Sequence, residues 1–169
     1  MSKTWSVSDG PRPPSADRIR VGVADAAVTD DGSTIVTSGL GSCVGIALYD
    51  GSGVGGLLHA MLPEAPESID KPAKYVDSGL DLLVNRMTDL GAKRASLKGK
   101  LTGGSSMLDL GGETPVGEKN VEAAMNRLDA ANVEVVAEET GGNIGRSVAF
   151  TPATGHLRVK RVDEEVHEI

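Results

Sequence analysis

Alternation of apolar and polar residues marks short β-strands along most of this chain. In the N-terminal half the alternation predicts strands over Ile19–Val28, Thr34–Thr37, Cys43–Tyr49 and Val54–Leu62. In the C-terminal half it predicts strands over Ala95–Leu101, Val133–Glu138, Val148–Phe150 and Leu157–Val162. The residues between these strands are rich in Asp, Gly and Ser, which favour turns.

Two other segments follow the period of an α-helix. The first is predicted to begin near Asp70, with Pro72 in its first turn, and to end at Gly91. The second is predicted over Glu118–Ala131. Consecutive strands followed by alternating helices and strands favour an α/β fold in which a mixed β-sheet is layered with helices.

The turn Asp50–Gly53 decides which residues face each other across the predicted hairpin. A two-residue loop would place Val44 opposite His59, whereas a three-residue loop would place Cys43 there. Directly opposed side chains share a face of the sheet. A joint function of Cys43 and His59 therefore requires the three-residue loop or a break in the strand near Cys43.

The two ends of the chain differ from its middle. Residues Met1–Asp17 carry Ser and Pro without apolar periodicity and are predicted to form a flexible leader. Asp163–Ile169 is predicted to be an acidic tail, which leaves residues 18–162 as one folded domain. No signal peptide or membrane-spanning apolar run is visible, and with a single cysteine this favours the cytoplasm.

The charge of the chain argues against a nucleic-acid partner. Asp and Glu number 24 against 17 Lys and Arg, for a net charge of −7. Phosphate backbones are bound by clustered Lys and Arg. The densest positive stretch, Lys93–Lys100, is interrupted by neutral residues, so the sequence shows no basic stripe.

The only cysteine, Cys43, lies in a glycine-flanked segment, and His59 follows it on the predicted partner strand. A lone cysteine forms no internal disulfide, and the three dispersed histidines have no metal-ligand spacing, so no metal or other cofactor is predicted. The thiol is either a small buried apolar group or a nucleophile. In the second case, backbone N–H groups near Gly41 and Ser42 are candidates for an oxyanion hole.

A nucleophilic thiol needs help to ionise at neutral pH. Only the thiolate attacks well, and an ordinary thiol is mostly protonated there. His59 can accept the proton, and the resulting ion pair is expected to lower the pKa of Cys43. The remaining histidines, His156 in a predicted turn and His167 in the tail, are expected to be exposed.

Two later glycine-rich segments, residues 103–106 and 141–147, lack the Gly-Lys-Ser or Gly-Lys-Thr end of a phosphate-binding loop. They are predicted to line a substrate groove, with Gly103 and Gly104 as candidate substrate contacts. Arg146 is interpreted either as a contact for an acidic partner or as half of a structural ion pair.

Five blocks, in this order, resemble the CheD family of chemoreceptor glutamine deamidases: Ile35–Val44, His59–Pro63, Lys71–Tyr75, Leu101–Met107 and Thr140–Ser147. The resemblance implies a single-domain α/β sandwich without a cofactor. It further implies that Cys43 is the nucleophile, that His59 is its base, and that Thr37 orients His59 through its hydroxyl or its carbonyl.

The resemblance also implies the partners. They are the cytoplasmic helices of chemoreceptors (methyl-accepting chemotaxis proteins), whose Gln side chains become Glu through a Cys thioester, and a CheC-type phosphatase. Because such helices are largely acidic, as this chain is, the net charges predict deamidation that holds or improves as salt rises.

The alternative is a non-catalytic adaptor that regulates a CheC-type phosphatase or a receptor by binding. Another class of cysteine hydrolase is a third possibility.

Overall fold

The protein has three layers, which are two β-sheets and a pair of α-helices. The structure, a computed structural model, describes residues 18–106, 114–162 and 166–169. Its strands are β1 (Arg18–Arg20), β2 (Asp25–Thr29), β3 (Thr34–Leu40), β4 (Val44–Tyr49), β5 (Gly55–Ala60), β6 (Lys98–Gly103), β7 (Glu134–Thr140), β8 (Arg146–Thr151), β9 (His156–Arg161) and β10 (Val166–Glu168). Its α-helices are α1 (Val76–Asp89) and α2 (Val116–Ala130), with 3-10 turns at Pro72–Lys74 and Arg94–Ser96.

The strands form two five-stranded sheets. An outer sheet has the order β1-β3-β8-β9-β10, and a central sheet has the order β2-β5-β4-β6-β7. Both are mixed, because β1 pairs with β3 and β6 pairs with β7 in parallel while the other pairs are antiparallel. The predicted α/β sandwich is confirmed, with its strands divided between two sheets.

The central sheet is buried on both faces. Ile46, Leu48 and Leu58 belong to a core shared with α1 and α2. Their neighbours Ala47 and Leu57 point the other way, into a second core shared with residues of the outer sheet. The outer sheet thus covers one face of the central sheet, and the two helices cover the other.

Helix α1 ends as predicted but begins later. Gly91 follows it at φ +101°, a conformation that suits glycine, and its N–H donates to Thr88 O. At the other end, Lys74 O accepts hydrogen bonds from the N–H groups of Met61 and Leu62 just after β5. This carbonyl is therefore bonded to the end of β5, and the α-helix begins at Val76 instead of near Asp70.

The predicted strand Ile19–Val28 is two strands in different sheets. Between β1 and β2 the chain crosses from the outer to the central sheet through residues 21–24, where Ala24 has φ 59°. Val21 N–H donates to Val36 O of the outer sheet, and Ala24 N–H donates to His59 O of the central sheet. The crossing segment is therefore bonded to both layers.

The C-terminal residues are more ordered than an acidic tail. Val166–Glu168 forms β10, which pairs antiparallel with β9, and Ile169 exchanges two backbone hydrogen bonds with Leu157. Lys100 Nζ also donates to Ile169 O over 2.6 Å. The predicted leader, Met1–Asp17, lies outside the described residues. Within the described part of the chain, no helix is long and apolar enough to cross a membrane.

Candidate active site

His59 lies in β5, fully buried between the two sheets. It pairs with Gly45 of β4 and faces the outer sheet, as its neighbour Leu57 does. Its Nδ1 atom is 2.8 Å from Oγ1 of Thr37, which is on β3 of the outer sheet. The contact between Thr37 and His59 thus links the two sheets.

The hydrogen bonds of Thr37 fix the tautomer of His59. Thr37 Oγ1 lies 2.7 Å from Val21 O, and a carbonyl can only accept, so the hydroxyl hydrogen is directed there. Towards His59 the hydroxyl oxygen must then accept, which places the imidazole hydrogen on Nδ1 and a lone pair on Nε2. Thr37 therefore contacts His59 through its hydroxyl, the first of the two possibilities that the sequence leaves open.

Cys43 precedes β4 directly and shares a face with His59, at an offset. Tyr49 pairs with Gly55, so the hairpin loop has five residues instead of the two or three considered, and Gly45 instead of Cys43 is opposite His59. Asp50 holds this longer loop, because its carboxylate accepts from the N–H and hydroxyl of Ser52. The thiol is partly buried and packs on the core between the sheets.

The protonation states differ from the predicted ion pair. Burial raises the pKa of the Cys43 thiol, and a hydrogen bond from its own backbone N–H lowers it to a smaller extent. Burial also lowers the pKa of His59 to about 4. The expectation that His59 lowers the thiol pKa is therefore wrong for the resting site, which holds a neutral thiol and a neutral imidazole at neutral pH.

Burial of a neutral imidazole should make stability depend on pH. The pKa of His59 falls from 6.5 to about 4 on folding, so between these values the unfolded chain binds more protons at this residue. We expect its contribution, about 3 kcal/mol, to be present above pH 6.5 and lost as pH falls towards 4. Urea unfolding at pH 7 and pH 4 measures it. His59→Asn has no group that titrates in this range, so its free energy of unfolding should fall less than that of wild type between pH 7 and pH 4. Equal falls in the two proteins would contradict the lowered pKa of His59.

Of the four residues predicted to contact substrate or an oxyanion, two have a backbone N–H that is already bonded. Gly41 N–H donates to Gly39 O, and Gly104 N–H donates to Cys43 O. By contrast, no backbone carbonyl among the described residues accepts from the N–H of Ser42 or of Cys43. The amides of this loop that no carbonyl accepts from are therefore those of Ser42 and Cys43, and the Cys43 N–H contacts its own thiol. Both are candidates for an oxyanion hole.

Gly103 and Gly104 let the end of β6 approach the backbone of Cys43. A Cβ at Gly103, whose φ is +94°, would lie 2.4 Å from Cys43 O. A Cβ at Gly104, whose φ is +66°, would lie 2.4 Å from Val121 Cγ2 of α2. A side chain at Gly103 would therefore displace the loop that carries Cys43, and one at Gly104 would displace α2.

Asn120 of α2 also holds this loop, although it was not among the site residues predicted from the sequence. The residue is fully buried, and its Nδ2 donates to Ser42 O over 2.8 Å and to Met61 O over 2.9 Å. One side chain thus joins the residue before Cys43 to the chain just after β5. A signal was present, since Asn120 precedes Ala124 and Leu128 by four and eight residues and so lies on the buried stripe of the helix.

Removing the Asn120 amide should loosen the Cys43 loop. In Asn120→Ala both carbonyls lose their buried donor, and we expect the free energy of unfolding to fall by about 2 kcal/mol or more. Asn126→Ala, at an exposed position of the same helix, is the control and should change it by less than about 0.5 kcal/mol. Urea unfolding compares them, and equal stabilities of the two variants would refute the role of Asn120.

Unsatisfied polar atoms concentrate around Cys43. Four buried side-chain atoms there have no hydrogen-bond partner among the described residues: His59 Nε2, Thr102 Oγ1, Ser105 Oγ and Asn120 Oδ1. Thr102 pairs with Gly45 on the side opposite His59, and Ser105 N–H donates to Gly41 O. Unsatisfied polar atoms are costly in a core, so their clustering makes this end of the central sheet the candidate functional site.

Other residues considered in the sequence lie outside this site. The Arg146 side chain is buried and bonded to Glu139 at 2.5 Å and to Gly141 O at 2.9 Å, which makes it half of a structural ion pair. His156 is exposed at the start of β9, and His167 is half-buried in β10. Among the residues that the structure describes, no three His, Cys, Asp or Glu side chains are grouped as metal ligands.

Known proteins resemble this chain over most of its length. The "Probable chemoreceptor glutamine deamidase CheD" of Natronomonas pharaonis is 43% identical, covering 89% of this chain and 92% of that protein. The protein of the same name from Pyrococcus horikoshii is 46% identical, covering 86% and 93%. The "Chemoreceptor glutamine deamidase CheD" of Halalkalibacterium halodurans is 39% identical, covering 90% and 99%.

A family model described as "CheD chemotactic sensory transduction" matches residues 61–161, a range that begins just after His59. The relatives extend the similarity over at least 85% of the chain. By these matches, the chain belongs to the CheD family.

Proposed function

We propose that this protein is a chemoreceptor glutamine deamidase in which Cys43 attacks the amide, His59 transfers the proton and Thr37 orients His59. The observation that carries the proposal is the Thr37–His59 hydrogen bond. This hydrogen bond places the imidazole hydrogen on Nδ1 and leaves Nε2 unprotonated. Cys43, the only thiol of the chain, lies on the same face of the central sheet as His59. The names of the relatives supply the substrate class.

The first step begins from neutral groups. As Cys43 Sγ attacks the side-chain amide carbon of a receptor glutamine, the thiol proton passes to His59 Nε2. Thr37 stabilises the imidazolium that forms, because its hydroxyl oxygen accepts from Nδ1–H. The N–H groups of Ser42 and Cys43 stabilise the negative charge on the former amide oxygen.

The second step releases ammonia. The tetrahedral intermediate collapses, the carbon–nitrogen bond breaks, and His59 Nε2–H protonates the leaving nitrogen. A thioester between Cys43 and the glutamyl side chain remains. Water then attacks the thioester carbonyl and gives a proton to His59 Nε2. The carbon–sulfur bond breaks, the proton passes from His59 to the Cys43 sulfur, and the receptor side chain is released as glutamate. Each step uses only groups of this chain and water.

The product of the proposed reaction adds charge to the receptor. Each turnover replaces a neutral amide by a carboxylate, so the charge of the receptor helix changes by one unit. The glutamates so made are sites for methylation, and the cytoplasmic part of the receptor is where the enzyme would act. A CheC-type phosphatase is a second proposed partner, and binding to it need not involve Cys43.

The test is incubation with recombinant receptor cytoplasmic domains, followed by mass spectrometry for conversion of Gln to Glu. Conversion on the folded receptor should greatly exceed that of free glutamine. Absence of conversion would favour the adaptor. Efficient hydrolysis of free glutamine would instead identify an amidase for small molecules.

A further inference from the structure

The outward face of the outer sheet is open and carries unexpected charge. Arg18 and Arg20 of β1 point outwards on one side, and Arg158 and Lys160 of β9 point outwards on the other. We call this surface the basic face. It carries four cations in a chain whose net charge is −7.

Strand register places small side chains between the two pairs of cations. One row runs across four strands, from Arg20 to Val36, Ala149 and Arg158. Three strand spacings separate the ends of this row, or about 14 Å between Cα atoms. A shallow depression of about 330 Å³ lies between them.

The cations of the basic face have no partners of their own. Arg18, Arg20, Arg158 and Lys160 make no salt bridge or side-chain hydrogen bond with any described residue. Arginines elsewhere do, since Arg127 pairs with Asp81 and Arg146 pairs with Glu139. Among the described residues, the carboxylate on the basic face is Glu168, which pairs in register with Arg158 and lies 3.8 Å from His156 Nδ1.

The basic face is continuous with the catalytic strand. Val36 and Ser38 point into the depression, while Thr37 between them points inwards to His59. The same strand then leads through Leu40 to the loop that holds Cys43. The depression and the loop that carries Cys43 are therefore joined by Gly39 and Leu40, the last two residues of the same strand.

We propose that the basic face docks an acidic segment of the protein substrate and thereby directs a neighbouring glutamine to Cys43. This proposal rests on the proposed function. Carboxylates of the partner pair with the two rows of cations, and the small residues between the rows admit its backbone. The face supplies affinity and on-rate and takes no part in the chemical steps.

The proposal reverses the salt dependence expected from net charge alone. Attraction between the basic face and acidic side chains is screened by salt, so kcat/KM on a receptor domain should fall as ionic strength rises from about 0.05 M to about 0.5 M. Repulsion between two acidic proteins would make kcat/KM rise over the same range. The sign of one salt titration therefore separates the two expectations.

The decisive variant reverses charge on the basic face. Arg158→Glu combined with Lys160→Glu should lower kcat/KM for a receptor cytoplasmic domain at least about tenfold, through KM, and flatten its salt dependence. The control, Lys93→Glu with Arg94→Glu, makes the same change of net charge at exposed residues before β6. Both variants should keep the wild-type rate of Cys43 alkylation by iodoacetamide, which shows an intact site.

The outcomes separate docking from chemistry. If kcat/KM falls equally in the two variants, or falls in neither, the docking proposal is overturned, although the proposed deamidase function still stands. A loss confined to binding of anionic vesicles or nucleic acid would overturn it as well. If wild type converts no glutamine, the proposed function fails, and calorimetry with Cys43→Ala and the same receptor domain still decides whether the basic face binds it.

Discussion

Replacing Cys43 with alanine is expected to reduce glutamine deamidation by at least about 10³-fold. The proposed reaction passes through a thioester, and this chain has no second thiol that could form one. Mass spectrometry of a receptor domain after incubation measures the loss. Binding of the same domain should persist, because Cys43 contributes little of the surface that a folded partner contacts.

Cys43→Ser is the matched variant. It keeps the shape of the side chain and replaces only the sulfur by oxygen. A hydroxyl ionises far less readily than a thiol, and an imidazole whose pKa is about 4 is a weak base for activating it. We expect it to be as inactive as Cys43→Ala. If either variant still modified receptors at the wild-type rate, the nucleophile assignment would be wrong. An unchanged signalling effect without modification would support the adaptor.

Replacing His59 with asparagine should cost about 10²- to 10⁴-fold in kcat. The Asn amide can still donate to Thr37 Oγ1 in place of Nδ1–H, but it removes Nε2, the atom proposed to take the thiol proton. Thr37→Val removes the orienting hydroxyl and keeps the imidazole, so its loss should be smaller. A similar kcat in wild type and His59→Asn would exclude His59 as the base.

The pH profile provides a second measurement of the same assignment. With a His59 pKa of about 4 and a raised thiol pKa, both groups stay neutral across the physiological range. We expect kcat/KM to be level there and to fall on the acid side as pH approaches 4. Alkylation of the resting thiol should be slower than that of an ordinary free cysteine. A bell-shaped profile centred near neutral pH would instead indicate a preformed thiolate–imidazolium pair.

Local patterns in the sequence predicted most elements of the fold. Alternation located eight stretches of strand, and the helical period located α1 and α2, because each pattern reflects which side chains are buried. It could not show that the segment Ile19–Val28 changes sheets, since extended residues look alike in either sheet. Nor could it predict β10, whose pairing with β9 and contact with Lys100 depend on a distant part of the chain.

The site was predictable to a similar extent. Residue types and spacing singled out Cys43 and His59, whereas Thr37 came only from family resemblance. The shared face of Cys43 and His59 was correctly required, but the length of their hairpin loop was not predicted, because Asp50 and Ser52 stabilise five residues there. The sequence also gave no measure of burial, which raises the pKa of one group and lowers that of the other.

The contact between the sheets has a consequence for partly folded forms of the protein. His59, the proposed base, belongs to one sheet, and the Thr37 hydroxyl that contacts it belongs to the other. Val21 of the crossing segment bonds to the strand of Thr37, and Ala24 bonds to the strand of His59. A chain whose sheets have formed but have not docked would hold a thiol and an imidazole free to rotate and exposed to water. On the proposed mechanism, we expect newly made or heat-loosened molecules in this state to have no deamidase activity, so that only fully folded copies modify receptors.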